Sequence, residues 1–187
     1  MVNRQGRSIA LIGMMGSGKS SIGSCLHCRT GLALHETDEI VAAKFGMSIP
    51  EIFAEHGEKK FREAETEALR GMRTKERTII VTGGGIVLRK ENVGILRSQA
   101  VIVWLDGVEE TLFARVSRKQ SRPLLQTKNP RKTFSQILDA RRPLYAKVAD
   151  FRVDTSVLTD EEVAVAILAK LRRLNHRRKS PVPRKAS

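Results

Sequence analysis

The chain has 187 residues and a formal net charge of +14, with 41% apolar and 29% charged residues. That length suits one α/β domain with a sizeable core, and that balance is ordinary for a globular protein. No apolar run approaches the length of a membrane span, which excludes an integral helical membrane protein.

The first seven residues lead into an apolar run without a signal-peptide core, so a cytoplasmic location is expected. Residues 9–12 read as a buried strand. Gly13, Gly18, Lys19 and Ser20 then fit G-x-x-x-x-G-K-[ST] without a mismatch. Glycines at these positions let the backbone aim successive N–H groups at a phosphate. A helix beginning at Lys19 adds its positive end. Lys19 can reach the outer phosphates, and the Ser20 hydroxyl can ligate Mg²⁺. The spacing therefore points to a nucleoside triphosphate site.

Residues 19–30 read as a helix with Ile22, Cys25 and Leu26 on one face and Gly31 as its stop. Cys25 and Cys28 form C-x-x-C within it. No second pair completes a zinc site, so two small, partly buried thiols are expected. A strand follows over residues 32–36, and Asp38 can cap the next helix, which buries Val41 and Phe45 before Gly46. Ser48 caps a short helix through Phe53. A longer helix spans about 58–72, with Phe61, Ala64, Ala68 and Leu69 inward.

Residues 78–82 form a β-branched third strand ending in Gly83-Gly84-Gly85. A short helix over 91–97 precedes a fourth strand at 101–105, and 108–116 is helical. Residues 117–131, rich in cations and polar groups with two prolines, read as a long mobile loop. Helix returns over 133–145 with Phe134, Ile137 and Leu138 inward. Arg152-Val153 is a brief last strand, and a final helix covers 160 to about 174. Alternating strands and helices imply a parallel sheet with helices on both faces.

Several clusters carry candidate chemistry. Glu36-Thr37-Asp38 ends the second strand, where parallel sheets collect ligands. Its carboxylates could hold Mg²⁺ waters and accept a hydroxyl proton, or Asp38 could simply be a helix cap. Arg62 and Glu65 are three apart on one helix face, which also suits a surface ion pair. Three successive glycines allow close backbone approach to a ligand. Arg122-Pro123-Leu124-Leu125 fits a lid closing over phosphate. Arg141, in Arg141-Arg142-Pro143-Leu144-Tyr145, offers a fork for a carboxylate.

The ordered set G-x-x-G-x-G-K-S, the acidic pair, F-R-x-x-E, G-G-G, R-P-L-L and R-x-P-L-Y resembles the shikimate kinase family over roughly residues 8–170. The resemblance implies a three-layer P-loop kinase fold with a five-stranded parallel sheet. It implies ATP-dependent phosphorylation of the shikimate 3-hydroxyl. Gly16, Ser17, Gly18, Lys19, Ser20 and Ser21 would hold the ATP phosphates. Ser20 would bind Mg²⁺ directly, with Glu36 acting through water. Asp38 would meet the reacting hydroxyl, and Arg62 and Arg141 would grip the shikimate carboxylate. Gly83, Gly84 and Gly85 would line the acceptor, Gly84 giving a backbone contact. Arg122 would be the lid cation, and Arg115 would pack on adenine. Lys19, Asp38 and Arg122 form the implied catalytic set.

The sequence departs from the family in places. Glu36 stands where Asp is usual, Ser24 where Arg is common, and His35 where an apolar residue is common. Rival readings are a kinase for another small hydroxy acid such as gluconate, and a non-catalytic ATP-binding relative.

The cations are unevenly spread. Lys170, Arg172, Arg173, Arg177, Arg178, Lys179, Arg184 and Lys185 stand without an acid among them, which leaves +6 for residues 1–169. A modestly basic body suits anionic substrates. One domain over 1–174, with a lid at about 117–131, and a disordered basic tail at 175–187 are expected. The tail lacks the interleaved aromatics of a nucleic-acid binder, and nothing in the sequence demands more than a monomer.

Overall fold

The computed structural model describes residues 7–72, 76–118 and 123–179, with side chains through residue 174. Strands β1 (Ser8–Ile12), β2 (Ala33–Glu36), β3 (Thr78–Val81), β4 (Ala100–Asp106) and β5 (Phe151–Asp154) form one sheet in the order β2-β3-β1-β4-β5. Every pairing is parallel, with Leu11 opposite Val81 on one side and Val103 on the other. Strands β1, β3 and β4 are buried along their whole length. That accounts for runs of apolar residues without polar alternation.

Side chains still alternate between the faces. Ile9, Leu11, Ile79, Val81 and Val103 pack against α1 (Lys19–Thr30) and α7 (Asp160–Lys179). Ala10, Ile12, Ile80, Ile102 and Trp104 face the opposite core. Residues of α2 (Thr37–Phe45), α3 (Ile49–Gly71), α4 (Lys90–Gln99), α5 (Glu109–Ser117) and α6 (Pro130–Val148) complete that second layer. The result is the expected three-layer sandwich. Because β1 is central and the chain goes first to β2 and β3 on one side and later to β4 on the other, the switch point lies at the carboxyl end of β1.

Several boundaries differ from the sequence reading for local reasons. Helix α2 starts at Thr37, so Asp38 lies in its first turn and is not its cap; Glu36 holds the cap position without a side-chain hydrogen bond. Ser48 is a cap as expected, closing a capping box with Glu51. The two expected helices after it are both present within α3, separated at Gly57, whose φ of 75° and ψ of 167° break the helical path. The segment expected as one long loop is shorter. Helix α5 reaches Ser117, a 3-10 turn covers Pro123–Leu125, and α6 begins at Pro130 under an Asn129 cap. Helix α7 continues to Lys179, so the first part of the expected tail is helical. Cys25 is partly buried and Cys28 exposed, both as free thiols. No helix among the described residues is long and apolar enough to cross a membrane.

A Cβ on Gly57 would meet no atom within 4 Å, so the objection to a side chain there is conformational alone. Gly57→Ala is expected to cost about 1–3 kcal/mol, read as a lower urea midpoint with an unchanged slope.

Candidate active site

The phosphate cradle follows from β1 ending at the centre of the sheet. Gly13 and Gly16 adopt φ values of +145° and +85°. A Cβ at Gly13 would lie 2.2 Å from the Leu105 carbonyl oxygen, and one at Gly16 would lie 2.3 Å from that of Leu112. The loop therefore packs too tightly on β4 and α5 for any side chain at these two positions. Helix α1 begins without a side-chain cap, leaving its first N–H groups for an anion. Lys19 Nζ donates to the carbonyls of Gly13 at 2.9 Å and Met14 at 3.0 Å, which holds the ammonium over the loop.

Ser20 Oγ donates to Glu36 Oε2 at 2.8 Å, joining the start of α1 to the end of β2. Burial raises the Glu36 carboxyl above its ordinary value, opposed by this hydrogen bond and by Lys19. A cleft of about 510 Å³ opens over these groups, with Gly16, Lys19, Ser20, Glu36, Arg115 and Asp160 in its wall. Arg115 is fastened by donation to the Thr155 carbonyl at 2.7 Å and hydroxyl at 3.3 Å.

A smaller recess of about 70 Å³ adjoins it, walled by Phe53, Phe61, Arg62, Glu65, Gly85 and Arg141. Met15, Asp38, Gly83 and Gly84 border both spaces. Asp38 thus stands between the phosphate cradle and two guanidinium groups. Its Oδ1 is buried without a hydrogen-bond partner among the described residues. The cap reading of Asp38 fails, and an acceptor oxygen is left facing the junction.

The two arginines differ in their pairing. Arg62 is buried and donates through Nη1 to Glu65 Oε2 at 2.5 Å and through Nη2 to Glu58 Oε1 at 3.0 Å. The surface ion pair envisaged from its spacing is therefore a buried one, since Glu65 is fully covered. Arg141 is only 7% exposed, yet it forms no salt bridge with a described residue. A buried guanidinium with no direct ion pair, only the longer-range field of Glu65, leaves positive charge facing the recess.

Crowding explains the outer two of the three glycines. A Cβ on Gly83 would lie 2.4 Å from Glu65 Oε1 and 2.7 Å from Asp38 Oδ1. One on Gly85 would lie 2.4 Å from the Arg62 guanidinium, and one on Gly84 would sit 3.6 Å from Arg141 Nη1. Charged side chains from three helices close directly on this backbone.

A model of the family described as "SKI: Shikimate kinase" matches residues 15–172. The chain belongs to the shikimate kinase family. It is 42% identical to a shikimate kinase of Thermodesulfovibrio yellowstonii over 91% of its own length and 98% of that protein's. A solved shikimate kinase from Acinetobacter baumannii, in complex with shikimate, superposes with a TM-score of 0.86 at 31% identity, covering 95% of this chain and 97% of that one. The Aquifex aeolicus shikimate kinase superposes at 0.79 with 35% identity, covering 90% and 98%.

In this member of the family the structure gathers the named residues as follows. Gly16, Gly18, Lys19, Ser20, Ser21, Glu36, Asp38 and Arg115 border the large cleft, and Ser17 is buried in the loop beneath it. Arg62, Arg141 and all three glycines border the recess. Arg122 lies outside the described residues. Sequence reading did not single out Glu65 as more than a partner of Arg62, or give Tyr145 a role. The signal for both was available: each lies one helical turn from an arginine of the site.

Glu65 makes a pH prediction. Burial raises its carboxyl to about 7 from 4.5, with Arg62 opposing and Asp38 reinforcing the rise. The folded state then binds more protons than the unfolded one between those values, so this stabilisation is complete below about pH 4.5 and is lost as pH rises through about 7. Urea midpoints measured across that range should fall more steeply in the wild type than in Glu65→Gln.

Proposed function

We propose that the protein transfers the γ-phosphoryl group of ATP to the 3-hydroxyl of shikimate, giving shikimate 3-phosphate and ADP. The observation that carries this reading is Arg141, buried without a counter-carboxylate in a recess that meets the phosphate cradle at Asp38. An acceptor with one carboxylate and ring hydroxyls supplies the missing anion and presents a hydroxyl to Asp38. The shikimate held by the Acinetobacter baumannii relative supports the same choice.

In this mechanism the loop amides from Gly16 to Ser21 and the Lys19 ammonium hold the phosphates. Arg62 and Arg141 clamp the acceptor carboxylate, while the Gly83–Gly85 backbone lines the ring. Asp38 Oδ1, with no competing donor, accepts the hydrogen bond of the reacting hydroxyl and takes its proton as the phosphoryl group arrives. Arg115 flanks the base, and Arg122 is the cation that the lid brings to the transferring group. Catalysis rests on positioning and fixed charge, with no covalent intermediate.

The pairing of Ser20 Oγ with Glu36 Oε2 at 2.8 Å supplies hard oxygen donors beside the cradle, which fits Mg²⁺. Ser20 would bind the ion directly and Glu36 through water. When bound, it neutralises charge on the β- and γ-phosphates. Glu36, one methylene longer than the usual Asp, accepts from Ser20 and so keeps a carboxylate beside the cradle. We extend the proposal to a cytoplasmic monomer with one domain over residues 1–174 and a lid at about 117–131. Residues 175–187 form a basic extension, and neither membrane nor nucleic acid is a partner.

Coupled ADP release with shikimate as sole acceptor tests the reading, with gluconate as control. Turnover on gluconate alone, or on neither acid, would overturn it. Arg141→Ala is expected to weaken shikimate binding by about 2–5 kcal/mol while changing the KM for ATP little. Equal losses for both substrates would remove Arg141 from the acceptor clamp. Glu36→Gln should raise the Mg²⁺ concentration needed for half-maximal rate while leaving the KM for shikimate unchanged.

A further inference from the structure

The three carbonyls of the triple glycine are all taken. Gly83 O accepts from the Ile86 amide at 3.2 Å and Gly85 O from the Leu88 amide at 3.0 Å. Those two bonds are local turns that the segment makes for itself. The middle carbonyl differs: Gly84 O accepts from the Tyr145 hydroxyl at 2.5 Å, across 61 residues of sequence. The amides of Gly84 and Gly85 donate to no described residue.

A trans peptide points its C=O and the following N–H in opposite directions. With Gly84 O drawn toward Tyr145, the Gly85 N–H is turned away from that hydroxyl. Gly85 lies in the wall of the recess with Arg62 and Arg141. Without a Cβ, glycine peptides flip easily, so the two local turns alone leave this plane under-determined.

We infer that Tyr145 is a positioning residue for acceptor binding: its hydroxyl locks the Gly84–Gly85 peptide so that the Gly85 N–H is presented to the bound acid. The residue is suited to the task. Its ring is fully buried and lies 6.1 Å from that of Trp104, centroid to centroid. Burial pushes its phenol up to about 12, with neighbouring Arg141 opposing, so the group stays a donor across the working pH range. Tyr145 stands four residues after Arg141 on α6, on the same helical face. One rigid helix therefore sets both the guanidinium that meets the acid and the hydroxyl that orients the backbone beside it.

The inference rests on the shikimate reading above, and the experiment separates the two. In the full-length protein, Tyr145→Phe keeps the ring and removes one oxygen. Its KM for shikimate should rise about five- to tenfold, the loss of one buried hydrogen bond, with the KM for ATP within about twofold. The Gly85 amide resonance, shifted by shikimate in the wild type, should lose most of that shift in the variant. Tyr145 is the chain's single tyrosine, so 3-fluorotyrosine labels it alone. That fluorine signal, which needs no substitution and serves if the variant folds poorly, should move with shikimate and stay put with ADP. Matched rises in both KM values, an unchanged shikimate KM, or a fluorine signal indifferent to shikimate would overturn the inference. A wild type that never uses shikimate would overturn the underlying reading as well.

Discussion

The acceptor side of this enzyme depends on opposite charges being buried against bare backbone. Glu65 is fully covered, Arg62 and Arg141 nearly so, and all three meet at Gly83–Gly85. Burying such charges is expensive unless each is paired. Here the pairing is left incomplete by one anion at Arg141. In the proposed reaction the acceptor's carboxylate supplies that anion. Gly83 and Gly85 follow from this, because the charged groups occupy the volume where their side chains would be.

The phosphate side is organised by a different constraint, close packing. Gly13 and Gly16 press on the Leu105 and Leu112 carbonyls, so the loop has one path from β1 to α1. Asp38 joins the two halves. It lies in the first turn of α2, and Thr37 beside it accepts the Gly83 amide at 2.9 Å, tying the start of that helix to the end of β3. The carboxylate is consequently placed by backbone geometry and needs no partner of its own.

Much of this was legible in the chain before its structure was known. The cradle has a fixed spacing, and the buried strands are apolar without alternation, so both the parallel sheet and the switch-point site followed. Boundaries set by single side chains were less legible. Asp38 has the chemistry of a cap, but the cap position falls two residues earlier, at Glu36, and Asp38 lies inside the helix. The pair of helices after Ser48 was legible, but the positive φ of Gly57 between them was not. The burial of the Arg62–Glu65 pair was equally hidden. An i,i+3 pair looks the same in sequence whether it faces water or a recess. Tyr145 sits in a recognisable string, but its bond to Gly84 spans too much chain for any local pattern to reveal.

The position of β2 at the rim of the sheet has a further meaning. That strand carries α2 and α3, the helices that supply Asp38, Arg62 and Glu65, and it pairs only with β3. The triphosphate machinery belongs to β1, deep in the interior and braced on both sides. The proposed acceptor recess therefore draws one wall from this peripheral pair of helices, and the phosphate cradle comes from the centre. A lineage could remodel the first to accommodate a different hydroxy acid while leaving the second untouched.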